Sequence, residues 1–484
     1  MPRLQVLMQP CSPFLYREFM LGYGDSWRSD KFSWKGRLFC FMRTVARRRD
    51  LASQVKRIYI HPQLWETHRP KTVPVVNYWR SEWSPVWRSR SGYYRSEVQE
   101  LLCDLAEVLG IDTLQRLSED DLIAVLISEL PSLQPCSLQL GVDYDEVAPG
   151  AGLRAAAVSR LPIKTIDLEL CATASEARRS FGHTSIVHRA FSVLSLSMGL
   201  ETLNLHEYYG VMSDEIDPIL PLPNLKNLRL TFSWLSERTL QRLLSSCGSL
   251  RTFFYEATSN PERRKYDFSD FYPLRLVRKG NIHFRLADAV KHLRSHCNTL
   301  ESVHLDLRMR GFTHCTPEPW DAFGFEQFTT LKHLLLLTLD EFHTAYMNPH
   351  PSPDQGLSKL LPPSITSLSL AGQITEELPR MEESLSGLAE AVSRGELPIL
   401  EVVRWDEHQM LSANFPVRTM FSAAGVDFSY STFPLSKSTL GESQSITHPS
   451  YFDDGYRIYP EVDPCSLPPA LQQPGPDEED PDLQ

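Results

Sequence analysis

The stretch from Leu200 to Tyr255 reads LETLNLHEYYGVMSDEIDPILPLPNLKNLRLTFSWLSERTLQRLLSSCGSLRTFFY. The pattern L-x-x-L-x-L, with aromatic residues in its last copy, begins at Leu200, Leu225 and Leu250, 25 residues apart each time. Its last three positions alternate as a β-strand does when one face is buried. Residues 236–247 carry apolar residues on one helical face. Strand, turn and helix in about 25 residues form a unit that must stack on its neighbours to bury its apolar strand.

The same strand pattern recurs along most of the chain. Ten copies begin at residues 55, 133, 163, 200, 225, 250, 300, 331, 365 and 400. We therefore predict an α/β fold, an irregular leucine-rich-repeat solenoid (ribonuclease-inhibitor-like) of about ten strand–helix units. Irregularity is expected because regular repeats carry Asn or Cys three residues after the last strand leucine. In the later nine repeats only Cys171 fits that position.

Helices are predicted between several of these strands. They lie at 236–247, at 286–297 and at 382–393, the last ending at Gly395. Cys247 and Cys297 each precede the first strand leucine by three residues, which resembles the cysteine-containing class of leucine-rich repeats. In that interpretation both thiols are buried fillers at the corner between helix and strand.

Composition divides the chain into three parts. Residues 1–50 are predicted to be a helical N-terminal segment, and residues 51–431 the solenoid, with insertions at 61–95 and 259–279. Residues 432–484 are rich in proline and acids, and we predict a disordered acidic tail because such a composition cannot bury enough apolar surface.

The N-terminal part resembles a known family. It contains P-F-L-Y-R-E from Pro13 to Glu18, a helix ending in basic residues, and DLA-x-x-V-x-x-I-x-I from Asp50 to Ile60. This order of elements is similar to the segment that follows the F-box in filamentous-fungal F-box proteins. The F-box is a helical module that binds the adaptor of a cullin–RING ubiquitin ligase. Residues 1–50 are therefore interpreted as a remnant after an F-box. We expect the segment from Pro13 to Phe19 not to hold the Skp-type adaptor by itself.

The resemblance implies a substrate receptor of such a ligase, with the protein substrate on the concave face of the solenoid. Two alternatives remain open. One is a repeat scaffold that works without a ligase. The other is an α/β enzyme with a doubly wound sheet, which the recurrent L-x-x-L-x-L pattern opposes.

Motifs that carry chemistry are absent from the sequence. It has no G-x-x-x-x-G-K-[ST], no G-x-G-x-x-G after a predicted strand, no G-x-S-x-G and no H-E-x-x-H. We predict that the chain is not an enzyme and assign no catalytic, cofactor-binding or metal-ligating residue. His292 and His296 share a helix without a third ligand, so a polar helix face is favoured over a metal site. Residues 405–408 (Trp-Asp-Glu-His) are interpreted as a polar edge of the solenoid.

Composition also bears on location and partners. The 9 cysteines form no C-x-x-C pair, which favours a reducing compartment, cytoplasmic or nuclear. The sequence contains no run of about 18 apolar residues, so we predict no membrane span. The middle of the chain is acidic, which argues against a nucleic-acid groove along the solenoid.

The insertion at 61–95 generates a first prediction, because its aromatic and basic residues alternate as in some single-strand binders. We expect its aromatic residues to pack on the first repeats instead. Changing Trp79 and Trp83 to Ala should therefore lower the melting temperature and leave any weak, salt-sensitive RNA binding nearly unaltered. Thermal melts and RNA titrations check this. Lost binding at an unchanged melting temperature would establish a stacking platform.

Overall fold

The computed structural model describes residues 17–19, 41, 44–60, 126–140, 158–170, 190–206, 208, 221–258, 283–308, 324–337, 356–371, 378–434 and 436. Both predicted insertions, at 61–95 and 259–279, lie outside the described residues, and so does the tail from residue 437 onward.

Within the described ranges, twelve parallel strands form one sheet, and each strand pairs with the next strand along the chain. They are β1 (Glu18–Phe19), β2 (Arg57–Ile60), β3 (Pro135–Leu140), β4 (Thr165–Leu170), β5 (Thr202–His206), β6 (Asn227–Ser233), β7 (Thr252–Ala257), β8 (Ser302–Asp306), β9 (His333–Leu337), β10 (Ser367–Ala371), β11 (Val402–Asp406) and β12 (Asp427–Ser431). The ten predicted motifs are β2 to β11. The α/β class is confirmed, and strands in chain order are compatible with stacked repeats.

Strand register places equivalent apolar side chains side by side in the core. The central rows are Leu203, Leu228 and Phe253, and Leu205, Leu230 and Tyr255, all of them 0% exposed. Neighbouring parallel strands lie about 4.8 Å apart, so each apolar side chain contacts its counterparts in both adjacent repeats. One continuous core therefore runs along the whole described sheet.

Helices occupy several connections between the strands. They are α1 (Arg49–Ala52), α2 (Phe191–Leu196), α3 (Glu237–Ser246), α4 (Leu286–Leu293), α5 (Leu378–Ser393) and α6 (Val417–Ala423), with 3₁₀ turns at Arg294–His296 and Leu357–Leu360. The predicted helices at 236–247 and 286–297 are confirmed as α3 and as α4 with its 3₁₀ extension. Ser236 caps α3, because its hydroxyl oxygen accepts the Thr239 N–H at 3.2 Å.

The end of α5 shows why a glycine follows it. The Gly395 N–H donates to the Val392 carbonyl at 2.8 Å, and the Glu396 N–H donates to the Ala391 carbonyl at 3.0 Å. This Schellman arrangement needs a left-handed residue, and Gly395 supplies it with φ of 78°. The predicted helix end is confirmed, whereas α5 begins at Leu378, four residues before the predicted start at 382.

Hydroxyl side chains tie successive turns together. In three repeats the residue just before the first leucine or isoleucine of the motif donates to the carbonyl of the first motif leucine one repeat earlier. These bonds are Thr299 Oγ1 to Leu250 O (2.8 Å), Thr330 Oγ1 to Leu300 O (2.9 Å) and Ser364 Oγ to Leu331 O (2.8 Å). Over four repeats, hydroxyl groups therefore link successive turns just before the strands begin.

The two edge strands are not predicted by the leucine pattern. β1 lies in the segment 1–50 that the sequence predicts to be helical, and it pairs with β2. Residues 44–47 and α1 are helical, so that prediction holds for only part of the described segment. β12 contains no leucine, but its Phe428 is buried beside Val403 of β11.

The chain does not leave the sheet after β12. The sequence predicts a disordered tail over residues 432–484, and the structure differs at the start of this range, where residues 432–434 and 436 are described. Ser436 is buried and hydrogen-bonded to residues of β6 and β7. Hydrogen bonds from polar side chains, rather than apolar burial, hold this part of the chain. Its composition therefore did not predict that it packs on the sheet.

Replacing Leu228 by Asp tests the register. Leu228 lies between Leu203 and Phe253, so a carboxylate there would be buried without a partner. We expect the free energy of unfolding to fall by at least about 3 kcal/mol and amide hydrogen exchange to become faster in β5, β6 and β7. Arg404→Asp introduces the same group at an exposed position of β11 and should melt like the wild type. Equal melting of the two variants would show that Leu228 is not a core residue.

Candidate binding site on the outer sheet face

The side chains that alternate with the core residues lie on the opposite side of the sheet, here called the outer face. From β3 to β12 its middle row is Ser137, Asp167, Asn204, Arg229, Phe254, His304, Leu335, Ser369, Arg404 and Ser429. Adjacent members are about 4.8 Å apart although they lie 25 or more residues apart in the sequence. The register therefore assembles contacts that no local motif contains.

A carboxylate organises the first part of the middle row. Ser137 Oγ donates to Asp167 Oδ2 at 2.7 Å, and Asn204 Nδ2 donates to Asp167 Oδ1 at 2.5 Å. Burial raises the pKa of Asp167, although both hydrogen bonds act in the opposite direction. Three neighbouring strands are thereby cross-linked by polar side chains.

A stack of three side chains follows in the same row. The Arg229 guanidinium lies 4.1 Å from the centroid of the Phe254 ring. The rings of Phe254 and His304 are 3.8 Å apart and inclined by 37°. Contact between a guanidinium and an aromatic face is favourable, more so where water is partly excluded. The stack fixes Arg229 at the centre of the outer face.

Next to the stack lies the acid–arginine cluster, which we define as Arg229, Glu256, Asp306 and Arg308. Arg308 binds Asp306 in a bidentate way, with Nε 3.0 Å from Oδ1 and Nη2 2.8 Å from Oδ2. Glu256 is 2% exposed and Asp306 is 1% exposed. Charge pairing with Arg308 makes the burial of Asp306 tolerable, whereas no described arginine forms an ion pair with Glu256.

The tail segment, which we define as the described residues 432–434 and Ser436, covers this cluster. The main-chain N–H and the hydroxyl of Ser436 donate to Glu256 Oε1 at 3.1 Å and 2.9 Å. Arg229 Nη2 donates to Ser436 Oγ at 2.8 Å. Arg308 Nη2 donates to the carbonyl of Phe433 at 2.6 Å. The cluster therefore holds an extended piece of chain by one hydroxyl, one N–H and one carbonyl.

Burial shifts two ionisable groups of the site. It raises the pKa of Glu256 to about 7, against the hydrogen bonds from Ser436, and the Asp306 charge adds to the rise. It lowers the pKa of His304 to about 3, helped by the positive charges of Arg229 and Arg308. His304 is consequently neutral at ordinary pH, whereas Glu256 changes its charge near neutrality.

Metal binding was considered for Glu256, His304 and Asp306, because their potential ligand atoms lie within 4.8 Å of one another. Both carboxylates already accept hydrogen bonds, one from Ser436 and the other from Arg308. A divalent cation would also have two guanidinium groups as close neighbours. The arrangement suits a hydrogen-bonded peptide better than a metal ion.

Residues considered in the sequence analysis have other roles. His296 is buried, with Nε2 3.0 Å from the Leu244 carbonyl, and His292 Nε2 lies 3.2 Å from Glu237 Oε1. Both histidines therefore pack α4 and the following 3₁₀ turn on α3, and His296 is buried in this contact.

The two cysteines differ in burial. Cys247 is buried, as predicted, and Cys297 is only partly buried. Burial raises the pKa of the Cys247 thiol to about 12, which keeps it protonated and unreactive.

The cluster at 405–408 is divided between two faces. Trp405 points into the core, and its Nε1 donates to the Gln409 carbonyl at 2.5 Å. Asp406 is buried on the outer face, where its negative charge acts on Arg308. Glu407 and His408 are exposed, in agreement with a polar edge.

Sequence reasoning missed the acid–arginine cluster. A signal was present, because an acid directly follows the last apolar residue of the motif in four repeats. These pairs are Leu168–Glu169, Tyr255–Glu256, Leu305–Asp306 and Trp405–Asp406. Aligning the strands by their apolar residues would have placed these acids in one row.

Comparison with protein-family models and with curated protein sequences gives no match. Among the helices that the structure describes, none has the length and apolar composition that a bilayer crossing requires.

Glu256 makes stability depend on pH. Its folded-state pKa of about 7 exceeds the reference value of 4.5, so the folded chain holds a proton that the unfolded chain has released between these values. The contribution of Glu256 to stability is full below pH 4.5 and is lost as the pH rises through about 7. Between pH 5 and pH 8 the free energy of unfolding of the wild type should fall by about 2.5 kcal/mol more than that of Glu256→Gln.

Denaturant titrations at several pH values measure this difference. Glu401→Gln, a change at an exposed glutamate, serves as the matched control and should follow the wild type. His304 is present in all three chains, so its own titration cancels. Parallel pH profiles of the wild type and Glu256→Gln would contradict the assigned protonation.

Proposed function

We propose that the chain is a leucine-rich-repeat solenoid whose outer sheet face, the concave face of such a solenoid, binds a protein substrate, and that it serves as an F-box-like substrate receptor for a cullin–RING ubiquitin ligase in the cytoplasm or nucleus. Support for the solenoid comes from ten L-x-x-L-x-L copies that are all neighbouring parallel strands. Each copy buries its apolar residues and presents the alternate ones outward, as stacked repeats require.

The observation that carries the binding role is the chemistry of the outer rows. Core positions repeat leucine and similar residues, whereas the middle row of the outer face changes from strand to strand. It includes hydroxyl, amide, acidic, basic, aromatic and aliphatic side chains at a spacing of about 4.8 Å. Such a row offers an ordered series of different contacts, which suits recognition of a protein segment rather than of a repetitive polymer.

Charge on this face supports a protein partner over nucleic acid. Arg308 is paired with Asp306, and Arg229 stacks on Phe254 and contacts Ser436. Nucleic acid needs cations that are available to phosphates. Paired charges of both signs instead fit main-chain and side-chain polar groups of a peptide.

The ligase role rests on the N-terminal resemblance. The last part of the P-F-L-Y-R-E element forms β1 and docks beside β2, and the Lys56 N–H donates to the Arg17 carbonyl at 2.8 Å. An F-box that ended at this element would be joined to the repeats without a flexible linker. Rigid joining suits a receptor that must hold its substrate at a set distance from the ligase.

Site-specific crosslinking tests the binding face. A photoreactive residue at Arg404, exposed on the outer face, should give discrete crosslinked proteins in cells. The same residue at Arg238, exposed on α3, should give none of these species. Identical products from both positions would show that the outer face is not the binding surface.

The crosslinked protein then tests the ligase role. If the chain is a substrate receptor, removing it should lower ubiquitylation of that protein and raise its amount severalfold. Unchanged ubiquitylation and unchanged amount would leave a binding scaffold without a ligase.

A further inference from the structure

The tail segment joins parts of the chain that are far apart in sequence. Ser436 contacts Glu256, 180 residues earlier, and Arg229, 207 residues earlier. Ser431 and Glu256 lie five strands apart, about 24 Å along a flat sheet, whereas five residues reach at most about 18 Å. The long side chain of Glu256 helps to close this gap. The segment therefore crosses the outer face close to fully extended, as a bound peptide would.

Its attachment is polar and rests on few residues. Among the described residues of the segment, Thr432 and Pro434 are exposed, Phe433 is partly buried and only Ser436 is buried. If the tail segment left the site, the charged side chains of the acid–arginine cluster would return to water, and the apolar core would stay closed. Such an attachment can be exchanged for another chain far more easily than a core strand can.

Ser436 shows which chemistry the site selects. Its hydroxyl donates to Glu256 and accepts from Arg229, and its N–H also donates to Glu256. Serine and threonine provide both functions, whereas alanine and proline do not. A phosphorylated residue would lose the hydroxyl proton that is donated to Glu256 and would bring negative charge to that carboxyl, and attraction to Arg229 would replace only one of these contacts.

We propose that the acid–arginine cluster is a peptide-recognition site for an extended segment with an unmodified serine or threonine three residues after a carbonyl held by Arg308, and that the tail segment occupies it as the chain's own competitor. This inference rests on the proposed role of the outer face as a protein-binding surface. It names the chemistry of the partner, a hydroxyl-bearing extended segment. A partner gains the site by displacing the tail segment.

Opening the site is the first step of the test. Ser436→Glu in the full chain places a carboxylate against Glu256 and should release the segment. Thr432→Glu adds the same charge at an exposed position of the segment and is the matched control. Hydrogen exchange should show a protected Ser436 amide in the wild type and in Thr432→Glu, and an unprotected amide at position 436 in Ser436→Glu. Free exchange in the wild type would overturn the proposal.

Binding of the chain's own sequence is the second step. A fluorescein-labelled peptide with residues 430–439, YSTFPLSKST, should bind Ser436→Glu about tenfold more tightly than the wild type. The same peptide with alanine in place of Ser436 should bind Ser436→Glu about tenfold more weakly than the serine peptide. Both full chains should give the same far-ultraviolet circular dichroism spectrum, because the core is untouched.

The outcomes separate this proposal from the proposed function. Equal affinity for both chains, no binding to either, or equal affinity of both peptides would overturn the recognition site. None of these results needs a cellular partner. The crosslinking experiment at Arg404 therefore tests the proposed function independently of the recognition site.

Discussion

The parallel backbone ladder between neighbouring strands is the constraint on which the other features depend. It begins before the strands themselves, since the Glu201 N–H donates to the main-chain carbonyl of Lys164 and the Lys226 N–H donates to the main-chain carbonyl of Glu201. The ladder keeps the motif residues in one register from β2 to β11, and the pairing of β6 with β7 shifts only between Leu230 and Ser233. With that register fixed, leucines of successive repeats meet in the core, and no repeat can shift alone without exposing its neighbours' apolar side chains.

The same register creates the outer face. A period of two residues sends every second side chain away from the core, whatever its chemistry. Residues 25 to 50 positions apart therefore become neighbours, as Arg229, Phe254 and His304 do. The cost of burying Asp306 is offset by Arg308, two residues further along the chain, whereas Glu256 is held by hydrogen bonds from Ser436. Recognition chemistry thus follows from the stacking that stabilises the fold.

Much of the sheet could be predicted because one apolar residue type recurs at fixed spacing. β12 was not predicted because phenylalanine and tyrosine replace leucine there. β1 was not predicted because a strand of two residues is too short to show a periodic pattern. The candidate site was harder to predict. Glu256 and Asp306 are separated by the insertion at 259–279, and Ser436 lies in a segment of polar composition. Its contacts depend on the path of the chain after β12, which no spacing rule describes.

The contact between Ser436 and Glu256 also changes how the array can come apart. In a stack with only nearest-neighbour contacts, repeats fray from either end one at a time. Here β7 to β12 lie inside a loop closed by that contact, so β12 cannot peel away while the tail segment stays in place. Contacts of such long sequence separation form late in folding, after the intervening repeats have stacked. The C-terminal half should therefore lose its structure more cooperatively than the N-terminal half, and displacing one serine would turn a closed assembly into an open one.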